Sequence, residues 1–279
     1  MNPKEIVDNV INRVERGLDN KENVSVSDVE KISGYSKRYI QRIFKNITGM
    51  NISTYIKKRK LTQAAILLKL TKKKISHISM DLNFSTQQTF SRAFLREFKV
   101  TPLVYRNEIG FDCSRLFFGY ANDIHFKKPV KKQIKPLKLK INEYRYCDSL
   151  LSRPYSRANR IRLEEVQSIL SMREKAVIVT FFRPNSSFKF EVDLVAKIGY
   201  SDVTNYNYVT DERSYWVIEY NGVWEEYVRF GRLFVFFIDV KFDLLVMEII
   251  RLNGKSEDGQ QLYCIKLCLP IPYNIGGAS

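Results

Sequence analysis

One pattern occurs twice in this chain, about 50 residues apart, and it restricts the fold more than any bulk property does. Tyr35-Ser36 precedes Ile40, Arg42 and Phe44, and Phe84-Ser85 precedes Phe90, Arg92 and Phe94. Tyr55 has its counterpart in Tyr105. In the first copy Ser27 and Glu30 have capping-box spacing and predict a short helix carrying Val29 and Ile32. Ser33-Gly34 ends it, because glycine tolerates the left-handed backbone of a tight exit. Ser36 then caps a second helix running to about Asn46. In the second copy Ile75, Ile78, Ser79 and Leu82 form the short helix, and Thr86 to Phe98 the longer one. Residues 52–70 have the length and composition of a helix bridging the copies. Ile6, Val7, Val10, Ile11, Val14 and Leu18 predict an amphipathic helix ahead of both.

The longer helix of each copy has two chemically distinct faces. Ile40, Ile43 and Phe44 form an apolar side, while Arg38, Gln41 and Arg42, spaced i, i+3, i+4, gather on the other. In the second copy Phe90, Ala93, Phe94 and Phe98 face inward, and Gln87, Gln88, Ser91 and Arg92 outward. Arginine pairs bidentately with guanine and glutamine with adenine, so these faces suit base edges in a major groove. A short helix, a turn and a second helix of this polarity is a helix-turn-helix. Charge agrees: the chain carries +16, of which residues 1–110 hold +11 and residues 111–143 hold +5, leaving the rest neutral. A basic first part favours a polyanion, since neutralising phosphates releases counterions. The run Lys57 to Lys60 offers either a phosphate clamp or a solvated face.

Residues 24–108 resemble the AraC/XylS family, and within it the MarA, SoxS and Rob group. The segments SGYSKRYIQRIFK, GMNISTYIKKRKL and FSTQQTFSRAFLREFKVTPLVYR carry the likeness, ending in Phe98 to Arg106. The resemblance implies a monomer that lays two probe helices into adjacent major-groove segments of promoter DNA, and an activator that contacts RNA polymerase. The family's reading positions fall on Arg38, Gln41, Arg42, Gln87, Gln88, Thr89 and Arg92. Two positions depart from it: Arg38 stands where close relatives place Trp, and Asn83 where a turn Gly is usual. Asparagine tolerates the left-handed backbone, so the turn is expected to survive.

A chain of 279 residues suits two domains. The expected division is 1–110 for the all-α double helix-turn-helix domain, 111–135 for a basic linker and 136–274 for an α+β domain. HFKKPVKKQIKPLKLK, residues 125–140, reads as a tether because Pro129 and Pro136 discourage a helix and like charges extend the chain. Beyond it strands are expected at 138–145, 175–182, 188–198, 214–220, 244–252 and 262–269, with helices at 160–172 and 224–239. Asn221-Gly222 is expected to end one strand, and Asn253-Gly254 to begin the last turn. The order is a duplicated β-α-β-β module, whose halves would share one curved sheet with a ligand cleft at their seam.

SYWVIEYNGVWEEYVRFGRLF, VMEIIRLNG and LYCIKLCLPI resemble the GyrI-like effector domain, found fused to an AraC-type reader within the same group. That family binds amphipathic or aromatic cations and often uses a buried acid on the last strand. Here the matching position is Lys266, which would favour an anion, with Glu219 and Glu248 as available acids. Trp216, Glu219, Trp224, Glu248 and Lys266 are therefore the candidate effector-binding residues. Either acid would alternatively form an internal pair with Lys266. The domain would otherwise serve as a protein-interaction module, and the whole chain as an architectural DNA binder.

Neither a Gly-rich phosphate loop nor a nucleophile–histidine pair stands out, so no enzymatic activity and no cofactor are expected. Cys264 and Cys268 have a ligand-like spacing, but Cys113, Cys147, Cys264 and Cys268 read as buried, reduced structural thiols rather than a metal site. No run approaches the ~18 apolar residues of a membrane span. The opening MNPKEIVDNV lacks a signal-peptide pattern, so a cytoplasmic, nucleoid-associated protein is expected.

Overall fold

The computed structural model describes residues 2–273 apart from 20, 21, 23, 118–127, 150–155, 185–190 and 234–239. The chain divides into two compact units. The first holds Met1–Asn107 and the segment from Arg115; the second holds Glu108–Ser114 and the chain from 128 onward.

In the first unit α1 (Pro3–Asp19), α2 (Val26–Ser33), α3 (Lys37–Thr48) and the start of α4 (Ile52–Leu70) enclose one apolar cluster. Its members include Ile6, Val10, Val14, Ile40, Phe44, Ile52 and Tyr55. A second cluster follows along α5 (Ile75–Asp81), α6 (Gln87–Phe98) and α7 (Pro102–Asn107). It is an aromatic ladder in which Phe94 meets Phe90, Phe98 and Tyr105 at 5.7, 4.3 and 5.4 Å between ring centres. The caps explain the boundaries. Ser36 accepts from the Tyr39 amide and Thr86 from the Thr89 amide. The first short helix starts earlier than Ser27, at Val26, because Ser25 and Asp28 form the capping box. Asn83 takes φ 54, the left-handed value expected of a glycine substitute in that turn.

The second unit is an antiparallel sheet with helices on one face. Its strands are β1 (Phe111–Asp112), β2 (Val130–Ile134), β3 (Lys138–Ser149), β4 (Ala176–Arg183) and β5 (Glu191–Ser201). These are followed by β6 (Tyr208–Val209), β7 (Arg213–Val223), β8 (Lys241–Phe242), β9 (Leu245–Lys255) and β10 (Gln261–Pro270). Eight of them form one sheet in the order β2-β7-β10-β9-β4-β5-β3-β6, and β1 pairs with β8. The helices are α8 (Arg157–Leu170), after β3, and α9 (Trp224–Leu233), after β7. The duplication is visible in the order itself. Module β3-α8-β4-β5 lies as β4-β5-β3, module β7-α9-β9-β10 lies as β9-β10-β7, and the two meet at the antiparallel β4–β9 pair.

Connectivity forces this sheet to curl. β2 is at one end of the order and β3 one strand from the other, so in a flat sheet they would stand roughly 29 Å apart. Yet only residues 135–137 join them, and four Cα steps reach about 15 Å at most. Within that connector the Leu137 amide donates to Thr210 Oγ1 and the Thr210 amide to the Leu137 carbonyl, which extends the β3–β6 pairing by one residue. Gly199 permits the tight approach of β5 to β3, since a Cβ there would lie 1.9 Å from the Lys140 carbonyl oxygen.

The inside of the curl carries Leu139, Val177, Val179, Tyr215, Val217, Met247 and Cys268. The alternate residues, among them Ile178, Ile218, Ile265 and Leu267, point to the helix face. β4 is thus buried on both sides over Ala176–Thr180, which accounts for its unbroken apolar run.

Three expectations need correction. Of the expected linker 111–135, residues 118–127 lie outside the described residues, and the rest is not a plain tether, since β1 and β2 belong to the sheets of the second unit and Phe117 packs in the first. Pro129 and Pro136 flank β2 without interrupting it, and an edge strand tolerates proline and exposed lysines. Asn221-Gly222 does not end its strand: β7 runs to Val223. Asn253-Gly254 does not form the last turn: β9 continues to Lys255 with Gly254 at φ 76, and Ser256 opens the turn, accepting from the Gly259 amide. The expected helix 224–239 is observed as α9 to Leu233, and 234–239 lie outside the described residues. Of the cysteines expected to be buried, Cys113 and Cys268 are, while Cys264 is half-buried and Cys147 exposed; burial pushes the Cys268 thiol up to about 12. Among the described residues no group of three or more His, Cys, Asp or Glu is arranged to hold a metal ion, and no helix is long and apolar enough to cross a membrane.

Candidate nucleic-acid interface

The two probe helices repeat each other residue by residue. Along 40–46 and along 90–96 the burial sequence is the same: buried, half-buried, exposed, two buried, two exposed. Ile40, Ile43 and Phe44 anchor α3, and Phe90, Ala93, Phe94 and Phe98 anchor α6. With those sides held in the core, Arg38 and Arg42 are exposed on α3 beside half-buried Gln41. On α6 Gln87, Gln88, Thr89 and Arg92 are exposed.

The hydroxyl of Thr89 is engaged locally, 2.9 Å from Thr86 Oγ1, so it belongs to the cap of α6 as well as to its surface. Arg42 lies with its guanidinium carbon 5.6 Å from the centre of the Tyr39 ring, and Tyr39 lies 5.3 Å from Tyr35. Tyr39 was not singled out from sequence; its i, i+3 spacing to Arg42 is the signal that would have found it.

The basic run of α4 is largely spoken for within the fold. Lys58 pairs with Glu97 at 2.9 Å. Arg59 donates to both carboxylate oxygens of Glu15 at 2.5 and 2.7 Å and to the Phe117 carbonyl at 2.9 Å. Lys60 is buried, and desolvation lowers its pKa. Lys57 is the exposed member of the run. A clamp of four cations is therefore not what this segment offers; it ties α1, α4 and α6 together. Arg106 is likewise structural: it donates to the Leu68 and Lys73 carbonyls at 3.2 and 2.6 Å, satisfying acceptors at and beyond the end of α4.

In the second unit the five candidate effector residues fall on two faces of the sheet. Glu219 and Lys266 are register partners on the inner face, with Lys266 Nζ 3.6 Å and Lys132 Nζ 3.9 Å from Glu219 Oε1. Trp216 and Glu248 alternate to the helix face, where Trp224 opens α9. There Glu248 is buried and pairs with Arg162 rather than with Lys266, at 2.5 and 2.6 Å to its two oxygens. Tyr227 donates its hydroxyl to the same carboxylate, and Arg162 stands 5.6 Å from the Trp224 ring centre. Glu248 is thus a structural acid, invisible as such from sequence because its partner lies 86 residues away.

Comparison with known proteins places the first unit. A helix-turn-helix domain family matches residues 30–108. The chain is 43% identical over 101 residues to the transposon Tn10 TetD protein of Escherichia coli, covering 36% of this chain and 72% of that protein. It is 41% identical over 109 residues to the regulatory protein SoxS of Salmonella typhimurium, covering 39% of this chain and all of SoxS. It is 43% identical over 83 residues to the right origin-binding protein of Escherichia coli, 30% of this chain and 29% of that one. With two matched probe helices and relatives covered end to end, the chain belongs to the AraC/XylS family of helix-turn-helix DNA-binding transcription regulators, in the group of SoxS and Rob.

Proposed function

We propose that this regulator binds an asymmetric promoter sequence as a monomer, α3 reading one major-groove segment and α6 the next. The reading rests on one observation: two helices with the same pattern of buried anchors and an exposed Arg at the matching position flank a single helix, α4. At 19 residues α4 spans about 28 Å, close to the ~34 Å of one DNA turn. Arg38, Gln41 and Arg42 serve the first segment, and Gln87, Gln88, Thr89 and Arg92 the second. The +11 charge of residues 1–110 supplies the salt-dependent part of affinity. Bound there in the cytoplasm and nucleoid, the protein activates transcription by contacting RNA polymerase.

Arg42→Ala and Arg92→Ala are each expected to cost ~1–3 kcal/mol on the preferred site and to relax specificity at separate base pairs. Fluorescence anisotropy with the preferred and unrelated duplexes measures this. Equal loss on both duplexes would reduce these arginines to phosphate contacts.

The second unit, in this proposal, is a GyrI-like sensor whose ligand lies inside the curled sheet. The apolar inner face supports an amphipathic or aromatic ligand, and Lys132 and Lys266 around Glu219 leave that face net positive. An anionic amphiphile is favoured over a cation. By calorimetry, a bile acid or fatty acid should bind and cationic dyes should not, and Lys266→Glu should weaken the anion about tenfold or more. Binding of the dyes alone to the unaltered chain would sink this assignment.

A further inference from the structure

Superposing the two copies by their burial pattern sets Tyr39 opposite Thr89, with Arg42 opposite Arg92 three residues on. The ring of Tyr39 is half-buried and packs on the apolar cluster of the first unit, which fixes its plane. Two groups lie close to it: Tyr35, tilted 34° at 5.3 Å, and the guanidinium of Arg42 at 5.6 Å. That distance is inside the roughly 6 Å over which an aromatic face attracts a cation. An arginine on a helix surface otherwise samples many rotamers and loses that freedom on binding. On α6 the corresponding Thr89 offers no ring, and its hydroxyl is turned to Thr86.

We propose that Tyr39 is a positioning residue: its ring, itself steadied by the core and by Tyr35, pre-orders Arg42 for base reading. The two probes then differ in kind. The first presents an arginine already held in one arrangement, and the second presents one that is ordered only on contact. The base under Arg42 is therefore read more stringently than the base under Arg92. This rests on the proposed role of α3 and adds to it a cause for unequal half-sites.

The test is a double-mutant cycle on the full chain, using the duplex selected by the unaltered protein and an unrelated duplex. Tyr39→Leu keeps the buried contact and removes the ring face; it should weaken the selected site about 3–10-fold, with less than about twofold change on unrelated DNA. Tyr39→Phe should stay within about twofold, since the hydroxyl has no part in the mechanism. In an Arg42→Ala background Tyr39→Leu should add less than about twofold. Base preference should flatten at the same positions in Tyr39→Leu and Arg42→Ala, and a merely structural tyrosine would not produce that coincidence. Losses that multiply in the double variant, or equal losses on both duplexes, overturn the proposal. Arg42→Ala weak with Tyr39→Leu unchanged overturns the positioning alone. Arg42→Ala without effect removes the reading of α3 itself, and the proposal with it.

Discussion

Replacing Glu248 by alanine is expected to cost the second unit about 3–5 kcal/mol, a large part of a typical domain's margin. The reason is what remains behind. Glu248 is 3% exposed and accepts from Arg162 through both oxygens and from the Tyr227 hydroxyl. Burial alone would lower the Arg162 pKa, and the Glu248 carboxylate overrides it, so the net shift is upward and the guanidinium stays charged. Without the carboxylate a guanidinium only 16% exposed keeps just the Asn159 side-chain oxygen as acceptor, the buried Tyr227 hydroxyl loses its carboxylate, and desolvation is no longer offset. Replacing both partners together, with Arg162→Met and Glu248→Met, should recover most of the loss, because no charge is left stranded. The measurement is direct, since both tryptophans of the chain, Trp216 and Trp224, lie in this unit and report its unfolding by urea. A Glu248→Ala midpoint equal to that of the unaltered chain would refute the account of this pair.

In the first unit Phe94→Ala is expected to cost ~3–5 kcal/mol. Phe94 is fully buried and is the hub of the aromatic ladder, touching Phe90 one turn back, Phe98 one turn on, and Tyr105 of α7. Alanine removes a whole ring, and the neighbours are themselves rings on fixed helices that cannot close the space. α6 is held to the rest of the domain by this face, so the variant should also lose affinity for its preferred DNA. Helix content followed by circular dichroism through a denaturant titration checks the first point. Phe94→Leu, which keeps part of the volume, should lose markedly less. An unchanged midpoint in Phe94→Ala would show that the ladder does not hold α6.

Much of the first unit was legible because its signals are local. Ser36 caps the first probe helix, Asn83 turns with positive φ, and α4 runs over the expected residues 52–70, while Thr86, expected as the first residue of the second probe helix, is its cap. The miss at Ser27 was a shift of two residues: Asp28 closes a capping box on Ser25 as well as Glu30 would on Ser27. The second unit was legible in its strands and their duplicated order, and less so in what crosses between them. β2 hid because an edge strand rich in lysine shows no apolar alternation. The ion-pair partners of Glu248 and of the α4 cations lie about 40 residues away or further, across packing that no sequence period encodes. The five candidate effector residues divide between two faces of one sheet by strand alternation: Trp216 and Glu219 lie three residues apart on β7 and so point to opposite sides.

Two unequal probe helices are proposed to read one asymmetric site. Selection of bound sequences from random duplex DNA by the full chain tests it most directly. The account predicts a motif with two blocks about one helical turn apart, not related by a two-fold axis. A palindromic motif would contradict the monomeric reading, and salt-sensitive binding to every sequence without a motif would contradict sequence readout altogether.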